Sequence, residues 1–188
     1  MYMEKDGMMQ AQTDHANTII MGKIRLTLLT DGILRLEQSG QGCFEDRPSQ
    51  TVIDRNFPKV SYTVTEQEKE VLIHTDRLRI HFPRKPADLR EISVCIRRRD
   101  GKYTDPWKYG DQTESLKGTA RTLDNVDGQT PLEEGIVSRS GFTVLDDSNT
   151  YLIGPGGDLQ KRQEGDKDVY YFGYGHDYLQ CLKDYLKL

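Results

Sequence analysis

Cysteine is scarce in this chain. Cys43, Cys95 and Cys181 stand far apart, form no CxxC pair and cannot all be bridged. That pattern argues against a disulfide framework and a structural zinc, and it predicts a reducing cytoplasm as the chain's home. No apolar run approaches the about 20 residues of a membrane helix. Residues 1–12 lack the apolar stretch of a secretory signal. Charge does not lean either: 26 Lys and Arg stand against 30 Asp and Glu, a net −4 with a sequence pI near 5.6. Neither nucleic acid nor a membrane is therefore expected as a partner. What is present is 188 residues, 35% hydrophobic and 9% aromatic, enough for one domain with a sizeable core.

Residues 1–22 are polar, rich in methionine and without periodicity, which predicts a loosely ordered leader with an edge strand near Thr18–Met21. From Lys23 the period becomes two. Ile24, Leu26 and Leu28 alternate with Arg25 and Thr27, Asp31-Gly32 marks a turn, and Leu34 and Leu36 alternate with Arg35 and Glu37. This predicts a hairpin with one apolar and one polar face. Further strands are expected over residues 59–65, 70–75, 78–82, 91–97, 141–145, 151–153 and 169–174. Short strands spaced about 8–12 residues apart predict an antiparallel β-sandwich or barrel. The region 102–134 breaks the pattern as a long polar loop, and long loops in compact domains are commonly functional. At the end, Tyr178, Leu179, Leu182, Tyr185 and Leu186 recur at helical spacing with no glycine stop, so the helix reads as cut and the chain as a piece of a longer protein.

Three segments carry a resemblance. The first is Leu116-Lys117-Gly118-Thr119-Ala120-Arg121-Thr122-Leu123-Asp124. The second is Glu134-Gly135-Ile136-Val137-Ser138-Arg139-Ser140-Gly141-Phe142, followed by Leu145-Asp146-Asp147-Ser148. The third is Tyr170-Tyr171-Phe172-Gly173-Tyr174-Gly175-His176-Asp177-Tyr178, running into Leu182-Lys183-Asp184-Tyr185. Their order and spacing resemble the N-terminal domain of family 31 glycoside hydrolases, the α-glucosidase and α-xylosidase group; Phe142 stands where that family usually has tryptophan. The resemblance implies a β-sandwich of the galactose-mutarotase-like type over residues 23–175. It makes residues 176–188 a linker helix toward a (β/α)8 barrel absent from this chain. The family cleaves α-linked glycosyl units with retention, using two carboxylates that belong to the barrel. This chain would then hold no catalytic residue and need no cofactor or metal. Its partners would be its own barrel and an α-linked oligosaccharide.

In the family a loop of this domain helps to line the substrate pocket. The matching stretch here runs from Arg121 to Asp127, and the resemblance implies sugar contact by Asp124 first, then Asp127, with Arg121 beside them. A carboxylate suits two vicinal hydroxyls because it accepts from both. Both aspartates also read as ordinary turn formers. The alternative to a pocket-lining domain is an autonomous carbohydrate-binding module with Trp107, Tyr103 and Tyr109 as a stacking platform, although a packed tryptophan is the plainer reading. A mutarotase-type epimerase would need a paired His and Glu in one pocket, which the sequence does not suggest. His176 reads as a joint at a strand-to-helix corner, and His74 and His81 as structural or surface residues. Arg97-Arg98-Arg99 reads as a solvated tip, Asp146-Asp147 as a turn whose members face opposite ways, and Gly154-Pro155-Gly156-Gly157 as a turn without phosphate-loop context.

Overall fold

In a computed structural model of the chain, Thr13 and residues 15–118 and 124–188 are described. The fold is mainly β and antiparallel. One five-stranded sheet holds β1 (Thr18–Met21), β2 (Ile24–Leu28), β3 (Ile33–Gln38), β12 (Lys167–Gly173) and β9 (Phe142–Asp146), in that order. The other holds β4 (Thr63–Glu66), β5 (Glu70–His74), β6 (Leu78–Pro83), β7 (Ser93–Ile96) and β8 (Trp107–Lys108). A small ribbon pairs β10 (Leu152–Ile153) with β11 (Leu159–Gln160), and the chain closes with α1 (Tyr178–Tyr185). The expected edge strand at Thr18–Met21 forms. β8 and β11 go beyond the expected strands: each is two residues long, too short to show a period.

The two sheets face each other across a core assembled by alternation. Ile24, Leu26, Leu34, Leu36, Val169 and Tyr171 of the first sheet meet Ile73, Leu78, Ile80, Phe82, Val94 and Ile96 of the second. Each such side chain taken from water contributes roughly 1.5–3 kcal/mol. Trp107 is only 2% exposed and its ring lies 4.9 Å from that of Tyr171, so it fills the core rather than offering a platform to sugar. Phe142 stacks on Tyr171 at 5.5 Å from the edge strand.

The first sheet is also covered on its other side, and this corrects the expected hairpin. All of Ile24–Leu28 is buried, and Arg35 and Glu37 are 2% and 3% exposed. Residues 38–57 and α1 form a third layer over this outer face. One end of it is apolar, where Leu29, Ile33, Tyr170 and Phe172 pack against Val52, Phe57, Cys181 and Leu188. The amides of Ile53 and Asp54 donate to the Leu188 carbonyl at 2.7 and 2.8 Å, fastening the loop to the residues after the helix. The single apolar stripe expected for the helix is divided. Cys181 is buried and Tyr185 packs against the second core, whereas Leu179 and Leu186 stand 75% and 81% exposed.

One core group is unsatisfied. The Tyr171 hydroxyl is buried with no hydrogen-bond partner among the described residues, and burial raises its pKa well above the usual tyrosine range. Removing an unpaired buried hydroxyl relieves about 1 kcal/mol or more. Tyr171→Phe is therefore expected to raise Tm by about 2–4 °C for a chain of this size. A lowered Tm in thermal unfolding would mean that the hydroxyl is satisfied.

Candidate functional site

The stretch read as a long loop has a built base. Residues 114–118 run beside 133–139: Leu116 N donates to Val137 O at 3.0 Å, Gly118 N to Glu133 O at 2.6 Å, and Arg139 N to Glu114 O at 3.0 Å. A bridge pairs Ser115 with Ser138, and the Lys117 ammonium meets Glu134. Gly135 is required here, because a Cβ on it would sit 2.7 Å from the Lys117 carbonyl oxygen. This base lifts an arm whose described tip, residues 124–129, is exposed throughout. Asp124 and Asn125 lie in a turn, with Asn125 at φ 59°, and Gly128 follows Asp127 at φ 94°. Asp124 and Asp127 are thus both on the exposed arm, where turn formation and contact with a ligand are compatible. Arg121 lies outside the described residues.

The arm base is tied to the strand-to-helix corner. Ser138 Oγ donates to the Phe142 carbonyl, Tyr178 Oη to the Ser138 carbonyl at 3.1 Å, and Thr143 Oγ1 to Gly135 O at 3.3 Å. His176 Nε2 sits 3.3 Å from the Arg139 carbonyl, which makes it a joint, as expected. Cys181 Sγ lies 3.6 Å from the Ile136 carbonyl, and burial pushes its thiol pKa up to about 12, so it is an inert packing residue. Asp177, at the head of α1, makes no side-chain cap. It instead accepts from Arg77 at 2.9 Å, and Arg77 also holds Asp31 at 3.1 Å.

The far end of the outer face is ionic. Register places Arg25 opposite Glu37 and Glu37 opposite Asp168. Arg25 donates to both Glu37 oxygens at 2.5 and 2.8 Å. Arg35 donates to both Asp168 oxygens at 2.8 Å and reaches Glu37 at 3.1 Å. Arg162 bridges Asp168, at 3.0 Å, and the fully buried Asp147. Burial works to raise the Asp168 pKa, but Arg35 overrides it and holds the carboxyl below its usual range. Burial dominates at Glu37 and Asp147, whose carboxyls lie above theirs. Arg25 and Arg35 also donate to the Glu45 carbonyl, at 3.2 and 2.7 Å, and so fasten the covering loop. Sequence reading missed this cluster. Asp146 and Asp147 do face opposite ways: Asp146 is exposed, and Asp147 enters the network.

The remaining candidates take structural places. His81 pairs with Glu70 at 2.5 Å, and the ring of His74 lies 6.2 Å from that of Tyr103. Arg97, Arg98 and Arg99 are exposed around the turn at Gly101. Tyr103 lies beneath the Arg79 guanidinium at 4.2 Å, and Tyr109 packs on the inter-sheet core. Among the described residues, no group of three or more His, Cys, Asp or Glu could hold a metal ion.

No protein-family model and no curated protein matches this chain. Among solved structures it is similar to the GH31 dextranase of Flavobacterium johnsoniae, solved as a mutant with isomaltotriose and also with glucose. In both cases the TM-score is 0.49 at 18% identity, over 90% of this chain and 25% of that one. The GH31 α-xylosidase of Xanthomonas citri is similar at a TM-score of 0.36 and 15% identity, over 75% of this chain and 12% of that one. The chain thus spans a quarter of the length of the dextranase.

Arg35 separates two carboxylates that face each other across β3 and β12. Arg35→Met is expected to destabilise the fold by about 3–5 kcal/mol at pH 7. Without the cation, Glu37 and Asp168 repel, so the Asp168 pKa loses its main lowering influence and the Glu37 pKa, already above its usual range, rises further. That contribution favours the fold at low pH and is lost as pH rises, so the deficit should shrink toward pH 4. Urea unfolding at the two pH values checks this. An equal deficit at both would remove the role assigned to Arg35.

Proposed function

We propose that this chain is the noncatalytic β-sandwich domain of an intracellular, retaining, α-glucosidase-like enzyme of glycoside hydrolase family 31. In this reading it lends its arm to the pocket of a following barrel that acts on α-linked oligosaccharides. The observation that supports the reading is convergence. The three segments that resemble the family are separate in sequence but meet at one end of the first sheet. Leu116 and Gly118 of the first pair with Val137 and Glu133 on the return side of the arm, within and next to the second segment. Phe142 of the second pairs with Gly173 of the third, and Tyr178 of the third holds Ser138. Leu179 and Leu186 of the helix and Leu132 of the arm, 50% exposed, are available for packing on a second domain.

The buried carboxylates do not suit hydrolysis. A retaining glycosidase needs one carboxylate free to attack carbon and another free to move a proton. Glu37, Asp147 and Asp168 are each held by arginine and covered by protein. Asp124 and Asp127, on the exposed arm, are suited instead to accept hydrogen bonds from sugar hydroxyls on a barrel-bound substrate. Since Trp107 lies in the core, the platform of an autonomous binding module loses its main member.

The test compares this chain with the full-length product of its gene on 4-nitrophenyl α-glucoside. The chain alone should be inert and the full-length product active, and Asp124→Ala should lower kcat/KM of the latter about 10-fold or more. Leu179→Lys with Leu186→Lys should change the stability of the chain alone by less than about 0.5 kcal/mol, as both side chains are exposed, yet weaken its hold on the barrel. Activity in the chain alone, or a reading frame that stops at Leu188, would defeat the proposal. Unchanged full-length activity in Asp124→Ala would remove that residue from the pocket.

A further inference from the structure

We propose that the cleft between residues 39–47 and 161–167 binds a small ligand through an anionic oxygen group, a phosphate or a carboxylate. The cleft lies at the ionic end of the outer face. The seven residues of β12 separate it from the arm by about 20 Å. It encloses about 280 Å³ above Glu37 and Asp168. This inference does not depend on the glycosidase reading.

Three observations carry it. The first is that the acids of the cleft are engaged. Glu37 is held by Arg25 and Arg35, Asp168 by Arg35 and Arg162, and Glu45 by Arg47 at 2.7 Å, while Asp166 accepts from Gly40 N at 3.0 Å. Its cations are not all engaged. Lys161 and Lys167 line the cleft, and their ammonium groups make no ion pair or hydrogen bond among the described residues. The two free ammonium groups leave donors without acceptors in the cleft, and Gln41 and Gln163 add amide donors.

The second is Arg162. Its side chain is 7% exposed, lines this cleft and also lines a neighbouring cavity of about 360 Å³. Its Nε is buried and has no acceptor among the described residues. A buried donor left without an acceptor, in a side chain that lines the cleft, would be satisfied by a water or a ligand oxygen. The third is that the walls are fixed before any ligand arrives. Gly40 N to Asp166 and Arg47 Nη1 to Gln160 Oε1, at 2.5 Å, tie the stretch 39–47 to the stretch 160–167. Preformed walls reduce the ordering cost of binding. The small volume suits a single anionic group with its carrier better than an oligosaccharide.

The test is a titration of the full 188-residue chain, followed by backbone amide resonances, with inorganic phosphate, citrate and, as a neutral control, glucose. Saturable shifts confined to residues 39–47 and 161–168 are expected, with Kd of about 1 mM. Lys161→Ala with Lys167→Ala should weaken binding about 10-fold while leaving Tm in place, since neither ammonium supports the fold. Cys43 supplies a second readout: it is the exposed thiol of the chain and lines the cleft, so the bound anion should slow its alkylation several-fold. Saturation by phosphate alone identifies a phosphate as the ligand group, and saturation by citrate alone a carboxylate. No saturation by either anion, shifts indifferent to loss of both lysines, or equal shifts with glucose would overturn the proposal.

Discussion

Arg35 is the residue on which the outer half of the molecule depends. It lies on β3 among neighbours that would otherwise be incompatible: Glu37 and Asp168 face each other across the β3–β12 pair, and Arg35 joins both. The same guanidinium holds the Glu45 carbonyl and lies 5.7 Å from the Tyr170 ring. Buried ion pairs contribute little net stability, because desolvation offsets most of their attraction. Their effect here is on register. A slip of one residue would turn Arg35 and Glu37 into the inter-sheet core, and a slip of two would part Arg35 from Asp168. The network therefore selects one alignment of β2, β3 and β12, and that alignment gives the covering loop and the helix a surface to pack on.

The strands were legible because alternation is a local property. β2, β3, β6 and β7 fall where period two places them, and β5, β9 and β12 fall on short apolar runs bounded by turn residues. What alternation does not reveal is whether the polar face meets water. At Arg25, Arg35 and Glu37 it meets residues 38–57, whose composition is that of an ordinary loop and whose covering role arises only in three dimensions. One signal was nevertheless present. Val169-Tyr170-Tyr171-Phe172 is an unbroken apolar run, and such a run marks a strand buried on both faces. A strand buried on both faces requires a third layer. The opposite charges at Arg25, Glu37 and Asp168 on neighbouring strands could then have been read as partners rather than as a solvated surface.

The site was legible in part. The motif segments identified the arm and the helix, and the structure brings them to one corner. The helix pattern misled because five apolar positions fit one broad stripe. Contact with the outer face runs instead through Cys181, Tyr185 and Leu188, leaving Leu179 and Leu186 in solvent. An arc of apolar residues wider than one contact surface is a sign of a second one. The cleft at the other end carries no motif. Its residues come from two loops distant in sequence, and neutralisation of its acids by buried arginines is visible only once the strands are paired.

The placement of the arm is decided away from the arm. Its tip lies in solvent, and the direction in which it leaves the domain is set where β9 begins and β12 turns into α1. There Gly141, at φ 79°, approaches Gly175 so closely that a Cβ on Gly141 would lie 2.9 Å from the Gly175 Cα, and Gly175 N donates to Gly141 O at 2.8 Å. The hydrogen bonds of Ser138 and Tyr178 flank this contact. The two backbones thus cross with no side chain between them, which couples the arm base to the helix as a single rigid joint. A side chain at Gly141 would part them and re-aim the arm without touching Asp124 or Asp127. Any function of the arm that requires a fixed direction must therefore be sensitive to this joint, even though nothing at the joint bears chemistry.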